Sequence, residues 1–346
     1  MVNILFMLGN GFDVNLKLET SFVDIPNEYI KEHENTSNET IQKFISVLSK
    51  NKNEWAYFEK ELGIYTEYFD SENKHIYIEQ IKSFKKTMRE KLRYEENRFD
   101  TTGKEEYIVN TFFYNSIANI IQYLSDVSKN ILSPYLARLQ RNFDYYYNFI
   151  TFNYTNTLEK CIDIVKEKAK KKALRIQNDG NGTFNIKDIF GKIIYIHGTL
   201  NTHFILGVDN ENQIKNKSFI DDIRWLIKPY QNKNIGENSE EKAKELIEQS
   251  NVICVFGMAI GETDQTWWKQ IYRWLKKDGT RQLIIFFFNK DLDISESQTV
   301  DKHLKLVKNL FFSVIGINKE EDKKSIINRI HIPLGNKDFF KINLFN

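Results

Sequence analysis

Two polar residues stand where apolar runs end. In "ITFNYTN" Asn153 follows one such run, and in "IYIHG" His197 follows another. In open α/β sheets, ligands sit at the carboxyl ends of the strands. An asparagine amide there can orient a sugar hydroxyl or a water; its ordinary alternative is to cap the next helix. Thr155 or Asn156 is expected to supply that cap, leaving Asn153 for a ligand. The imidazole of His197 has the proton affinity that suits acid–base work near neutral pH. Its ordinary alternative is a satisfied structural histidine. His33, His75, His203, His303 and His331 have weaker contexts.

Two glycine turns accompany this pair. "ILFMLGNGFDV" carries Gly9-Asn10-Gly11 and Asp13 straight after an apolar run. Glycines let a backbone approach an anion closely, and a helix start favours negative charge. A dehydrogenase fingerprint needs a third glycine where Val14 stands, and a prompt second strand ending in an acid. Both are missing, so hydride transfer is disfavoured; a phosphate loop and a tight structural turn both stay open. "VFGMAIGETD" places Gly257 just past another run, followed by Gly261 and Glu262-Thr263-Asp264. Gly257 and Glu262 are candidates for contact with a nucleotide. Thr263 or Asp264 is expected to cap the helix from about Gln265, whose Trp267, Trp268 and Trp274 belong to a core.

These residues need a scaffold of strands and helices. Ile4 to Leu8 is a continuous apolar run, as in a central parallel strand. From about residue 36 to 141 apolar residues recur at helical spacing with little strand signal, and Pro134 marks a kink or break. Strand signals resume at "YYYNFITFNY", then "KIIYIHG", "HFILGVD", "NVICVF" and "QLIIFFF", with a hairpin turn at "NDGNGTF". Alternating strands and helices after residue 145 predict a parallel sheet. The expected organisation is a discontinuous α/β core at 1–30 and 145–346, with an all-helical insertion at 31–144 after the first strand.

Composition narrows the function. The 346 residues include 49 Lys+Arg and 47 Asp+Glu, a net charge of +2, which is too balanced for nucleic-acid binding by bulk charge. The basic run "KEKAKKKALR" reads as a solvated helix face. Cys161 and Cys254 are the only cysteines, so neither a disulfide framework nor a zinc site is expected, and no metal. No stretch approaches the ~20 apolar residues of a membrane span. The first residues read as a core strand and not as a signal peptide. A cytoplasmic, reducing setting is the expectation.

Together, "GNGFDVNLKLETSF", "WAYFEKEL", "FNYTNTLE", "YIHG", "ILGVD" and "FGMAIGETDQTWW" resemble the AbiH family of phage abortive-infection proteins. That family is in turn similar to the sirtuin-like (SIR2-like) NAD-binding domains of bacterial defence systems, through the N-terminal glycine loop, "TFNY" and the "HG" pair. The resemblance implies a Rossmann-like, sirtuin-like sheet that takes NAD+ as substrate and hydrolyses it at the nicotinamide–ribose bond. It implies that Gly9 and Gly11 lie against the pyrophosphate and Gly257 against the adenosine half. Asn153 would hold the nicotinamide ribose and position water, and His197 would act as base or polarise a ribose hydroxyl. The relatives usually carry an acid two residues after the asparagine. Thr155 stands there in this chain, with Asp13 and Asn10 the candidates to replace it. The zinc-ribbon cysteines of protein deacylases are absent.

The resemblance implies a phage-derived trigger, and self-association is a further candidate. The alternatives are a nucleotide sensor without turnover, a nucleic-acid-targeting effector, and a helical module contacting a partner.

Overall fold

The structure is a computed structural model; it describes residues 2–345 apart from 22, 51–54, 140–143, 179–182, 219, 237, 290–291 and 335–337. Seven strands form one sheet: β1 Val2–Leu8, β2 Asp144–Thr151, β3 Arg175–Asn178, β4 Thr183–Tyr195, β5 Val252–Phe256, β6 Gln282–Phe286 and β7 Ile330–His331. Their order is β3-β4-β2-β1-β5-β6-β7, and every neighbouring pair is parallel except the antiparallel β3–β4. The protein is therefore α/β with a mostly parallel sheet. The centre of the predicted hairpin turn, residues 179–182, lies outside the described residues.

β1 sits in the middle because both its faces are apolar. Ile4, Phe6 and Leu8 enter one core, and Leu5 and Met7 enter another on the opposite face. This is the period of two that a pleated strand imposes. The first core is covered by residues 99–136 and by the helix Thr157–Lys171. The second is covered by Ser239–Gln249, Gln265–Lys277 and Ser297–Ile315, with Trp267, Trp268 and Trp274 buried in it.

The helical stretch between β1 and β2 does not share a single core. Its first part, the helices Asp24–Glu32, Glu39–Lys50, Trp55–Tyr65 and Lys74–Arg98, closes a third core with Tyr154 and residues 200–227. Its second part packs on the sheet. Pro134 lies inside the helix Asp126–Leu139. "HFILGVD" is not a strand. It makes only isolated bridges, Gly198 with Phe204 and Val208 with Ile227. Phe204, Ile205, Leu206 and Val208 are all buried, so this stretch lacks the alternation of a half-covered strand and fills the third core instead.

The strand ends are level. Leu8 is in register with Thr151 and with Phe256, and Thr151 with Tyr195. The chain reaches β2 on one side of β1 and later returns to add β5 on the other. The two directions of winding part at β1, the place where open α/β sheets leave a crevice.

Beyond those ends, the loops after β1 and β5 touch through their backbones. The Gly9 N–H donates to the Phe256 carbonyl at 3.0 Å, and the Gly11 N–H to the Gly257 carbonyl at 2.9 Å. A Cβ on Gly11 would lie 2.5 Å from the Gly257 Cα, and one on Gly257 would lie 2.6 Å from the Gly11 Cα. Gly257 also has φ +65°, in the left-handed region. Gly257→Ala is expected to destabilise the fold by ~2 kcal/mol or more in urea unfolding; a loss under ~0.5 kcal/mol would contradict the crossing described here.

Candidate functional site

A cavity of about 270 Å³ opens past the level strand ends. Gly9, Asn10, Gly11 and Asp13 line it from the turn after β1. Phe152, Asn153 and Tyr154 come from the turn after β2, His197 from that after β4, and Gly257, Met258, Thr263 and Asp264 from that after β5. The helical stretch contributes Glu59 and Leu92. Asn153 and His197 each lie two residues past a paired strand end, so the sheet register brings them together.

Asn153 is buried, 4% exposed, and neither Oδ1 nor Nδ2 reaches a partner in hydrogen-bonding geometry. Its backbone N–H is held by Thr151 Oγ1 at 3.1 Å, which fixes the turn but leaves the amide unused. Buried side-chain amides are nearly always bonded. This one is a donor and an acceptor beside a cavity wall.

His197 is buried between the rings of Phe152 and Tyr154, with centroids 5.7 Å and 5.9 Å away. Tyr154 is itself anchored by its hydroxyl, which donates to the Ile205 carbonyl at 2.7 Å. Burial first, and then the Lys228 ammonium, push the His197 pKa well below 6.5; a hydrogen bond to the Phe152 backbone opposes this. The imidazole is neutral at physiological pH and acts as a hydrogen-bonding group. Gly198 follows because a Cβ there would lie 1.8 Å from the His203 carbonyl oxygen.

Asp13 is buried, and each carboxylate oxygen accepts one threonine hydroxyl: Oδ2 from Thr155 and Oδ1 from Thr157, both at 2.6 Å. Burial raises its pKa from 3.8 to about 6 against those two bonds, with Glu96 adding repulsion and the nearby Asn153 amide favouring the charge. Of the two expected cap residues, Thr155 does not cap the next helix, and it does not line the cavity. It stands behind Asp13 and holds it. Asn156 occupies the cap position without a side-chain cap bond. The Asn10 amide is committed to Thr20, donating to its carbonyl at 2.7 Å and accepting its hydroxyl at 3.0 Å.

Beside the cavity one sequence expectation is corrected and another is met in position alone. Glu262 does not line it; the side chain is exposed and pairs with Lys60 at 2.9 Å on the helix Trp55–Tyr65. Asp264 occupies the cap position of the helix Gln265–Lys277, as expected, but its carboxyl makes no cap bond and the residue lines the cavity. The Gly9 and Gly11 N–H groups are held by the loop after β5, so these glycines serve by lacking side chains and not as donors to an anion.

A largely buried charge cluster, invisible in the sequence, reaches the cavity through Glu59. Lys228 is 5% exposed and bonds Glu59 at 2.5 Å, with Asp209 at 3.6 Å. Burial opposes the Lys228 charge, but Glu59, Asp209 and Asp264 outweigh it and raise the pKa. Burial likewise lifts Glu59 to about 6, with Lys228 pulling the other way. Glu59 sits in a helical pattern and Lys228 in a polar stretch, so no local signal joins them.

Residues 5–286 match the family described as bacteriophage abortive infection AbiH. The matched span contains every cavity residue named above. No curated protein matches the chain. Among the described residues no helix is long and apolar enough to cross a membrane.

Two variants test the electrostatics. Lys228→Met leaves buried Glu59 and partly buried Asp209 without their cation and is expected to cost about 3–5 kcal/mol in chemical unfolding at neutral pH. A cost under ~1 kcal/mol would show that the pair is not buried as described. The Asp13 pKa is raised on folding, so its contribution is full below 3.8 and is lost as pH climbs through about 6. Melting temperatures of intact protein and Asp13→Asn should diverge across that window, the intact protein losing ground as pH rises. Parallel curves would contradict the shift.

Proposed function

The chain belongs to the bacteriophage abortive-infection AbiH family, and within that defence role we propose that it hydrolyses NAD+ at the nicotinamide–ribose bond. The observation that carries the reading is the Asn153 amide, buried beside the cavity with both atoms unpartnered. A donor–acceptor pair in that position suits a ribose hydroxyl and a water. Neutral His197 supplies a second hydrogen-bonding group to the sugar. Asp13, locked by Thr155 and Thr157, supplies the acid that the relatives carry two residues after the asparagine.

The cavity sizes agree with a substrate of two halves. The cavity holding Asn153 and His197 measures about 270 Å³. A neighbouring one of about 620 Å³ shares Gly11, Gly257, Met258 and Ala259 with it and is lined by Phe286, Phe287 and Phe288. A dinucleotide laid over the side-chain-free Gly11–Gly257 crossing has its nicotinamide ribose in the first and its adenosine in the second. The strand order, with its change of direction at β1, supports a Rossmann-like, sirtuin-like reading of the core.

The chemistry follows from position. Leaving of nicotinamide makes an oxocarbenium-like ribosyl centre, and fixed dipoles around it lower its energy without reorganisation. Loss of NAD+ in an infected cell starves phage replication. The helical stretch places Glu59 and Leu92 on the cavity wall, so a phage-derived trigger docking there has a direct route to the site. The setting proposed is the cytoplasm.

Cellular NAD measured by mass spectrometry through infection tests this. NAD is expected to fall with the intact protein and to stay level with Asn153→Ala or His197→Ala at matched expression, protection being lost in both. Protection with steady NAD would favour a nucleotide sensor; protection surviving both substitutions would remove the site from the mechanism.

A further inference from the structure

Asp264 has a conformation that helix stability does not explain. It occupies the cap position of Gln265–Lys277, where aspartate is among the favoured residues because its carboxylate bonds the first free N–H groups. It makes no such bond, and among the described residues its carboxyl makes no hydrogen bond. The side chain lines the cavity that holds Asn153 and His197.

Resting on the NAD hydrolase reading, we propose that Asp264 is the general base that takes a proton from the attacking water. His197 is poorly suited to that task. It is buried between two rings, in the field of a lysine that resists its protonation. Asp13 is unsuited as well, since both its oxygens already accept threonine hydroxyls. Asp264 is the cavity carboxyl left with open acceptor positions. The remaining one, Glu59, is engaged by Lys228.

The charged groups around Asp264 set its proton affinity. Burial of the carboxyl is the largest influence, although part of the residue is open. Lys228, on the helix Lys228–Ile235, lowers the pKa; Asp209 and Glu59 raise it, and the result is about 7. His197, on the same cavity wall, is neutral and adds no charge. A base with that affinity is half ionised near neutral pH, close to the optimum for proton transfer.

In the step proposed, the water O–H bond breaks and its proton passes to Asp264. The water oxygen forms the new bond to C1′ of the ribose. The C1′–N bond breaks, and its electron pair neutralises the pyridinium nitrogen of the departing nicotinamide. The proton on Asp264 then passes to solvent, giving nicotinamide, ADP-ribose and one proton from NAD+ and water.

Asp264→Asn is the test, because asparagine is close to isosteric, is as favoured at a cap position, and removes no cap bond from the start of Gln265–Lys277. Nicotinamide release by the purified full chain would be followed from pH 5.5 to 9, about the range over which such a carboxyl changes charge. The intact protein should speed up through about pH 7 and level off above it. Asp264→Asn should be slower by ~100-fold or more, with that rise gone. NAD+ should still raise its melting temperature. Asp264→Glu should recover part of the rate and the rise.

An unchanged rate and profile in Asp264→Asn, while the intact protein hydrolyses NAD+, would overturn the role and leave the hydrolase reading standing. So would a folded variant that no longer binds NAD+. An intact protein that releases no nicotinamide at any pH would overturn the hydrolase reading itself, and the role with it.

Discussion

The site depends on one backbone contact, between the turns after β1 and β5. Gly9 and Gly11 donate to Phe256 and Gly257, and no side chain at Gly9, Gly11 or Gly257 separates the two loops. The contact closes the floor of the crevice where the sheet changes direction. It sets the distance between the two cavities, and it carries Asp13 into the short helix Gly11–Asn15, where the threonines after β2 can hold it. Three turns are thereby fixed to one another by main-chain and buried side-chain bonds. A polar site can stay rigid without water around it only when its supporting bonds are complete.

Completeness elsewhere is what sets Asn153 apart. Its neighbours are satisfied: Asn10 by Thr20, Asp13 by Thr155 and Thr157, Tyr154 by Ile205, Glu59 by Lys228. Among these bonded groups its amide is unpartnered, beside a cavity that His197 and Asp264 also line. Burial is the largest influence on the cavity's own titratable groups, and the carboxylates around Lys228 hold that neighbouring residue's charge against it. His197 is held neutral, Lys228 is held charged, and the Asp13 and Asp264 carboxyls are lifted toward neutrality. Such divergence within one cavity is characteristic of acid–base sites.

The part of this site that is legible in the sequence is the part written at strand ends. Each of Gly9, Asn153, His197 and Gly257 follows a strand closely, and level strand ends bring such positions together wherever the sheet is parallel. Strand-end position says nothing about which way a side chain turns. Neither Thr155 nor Asp264 makes a capping bond: the first stands behind Asp13 and the second, at its cap position, lines the cavity. The Glu59–Lys228 pair spans 169 residues and joins a helix to a polar stretch, so local pattern could not reveal it. "HFILGVD" misled for a related reason. Its centre, Phe204 to Val208, is apolar because it is buried, with Phe204, Leu206 and Val208 in the third core, and an apolar run does not distinguish that from a buried strand.

The proposed hydrolysis requires that NAD+ bind in this cavity. A crystal structure of the His197→Ala protein soaked with NAD+ tests that most directly. The expected result is density for the dinucleotide across the Gly11–Gly257 crossing, with the Asn153 amide hydrogen-bonded to its nicotinamide ribose. Nucleotide density elsewhere, or a cavity without density at saturating NAD+, would contradict it.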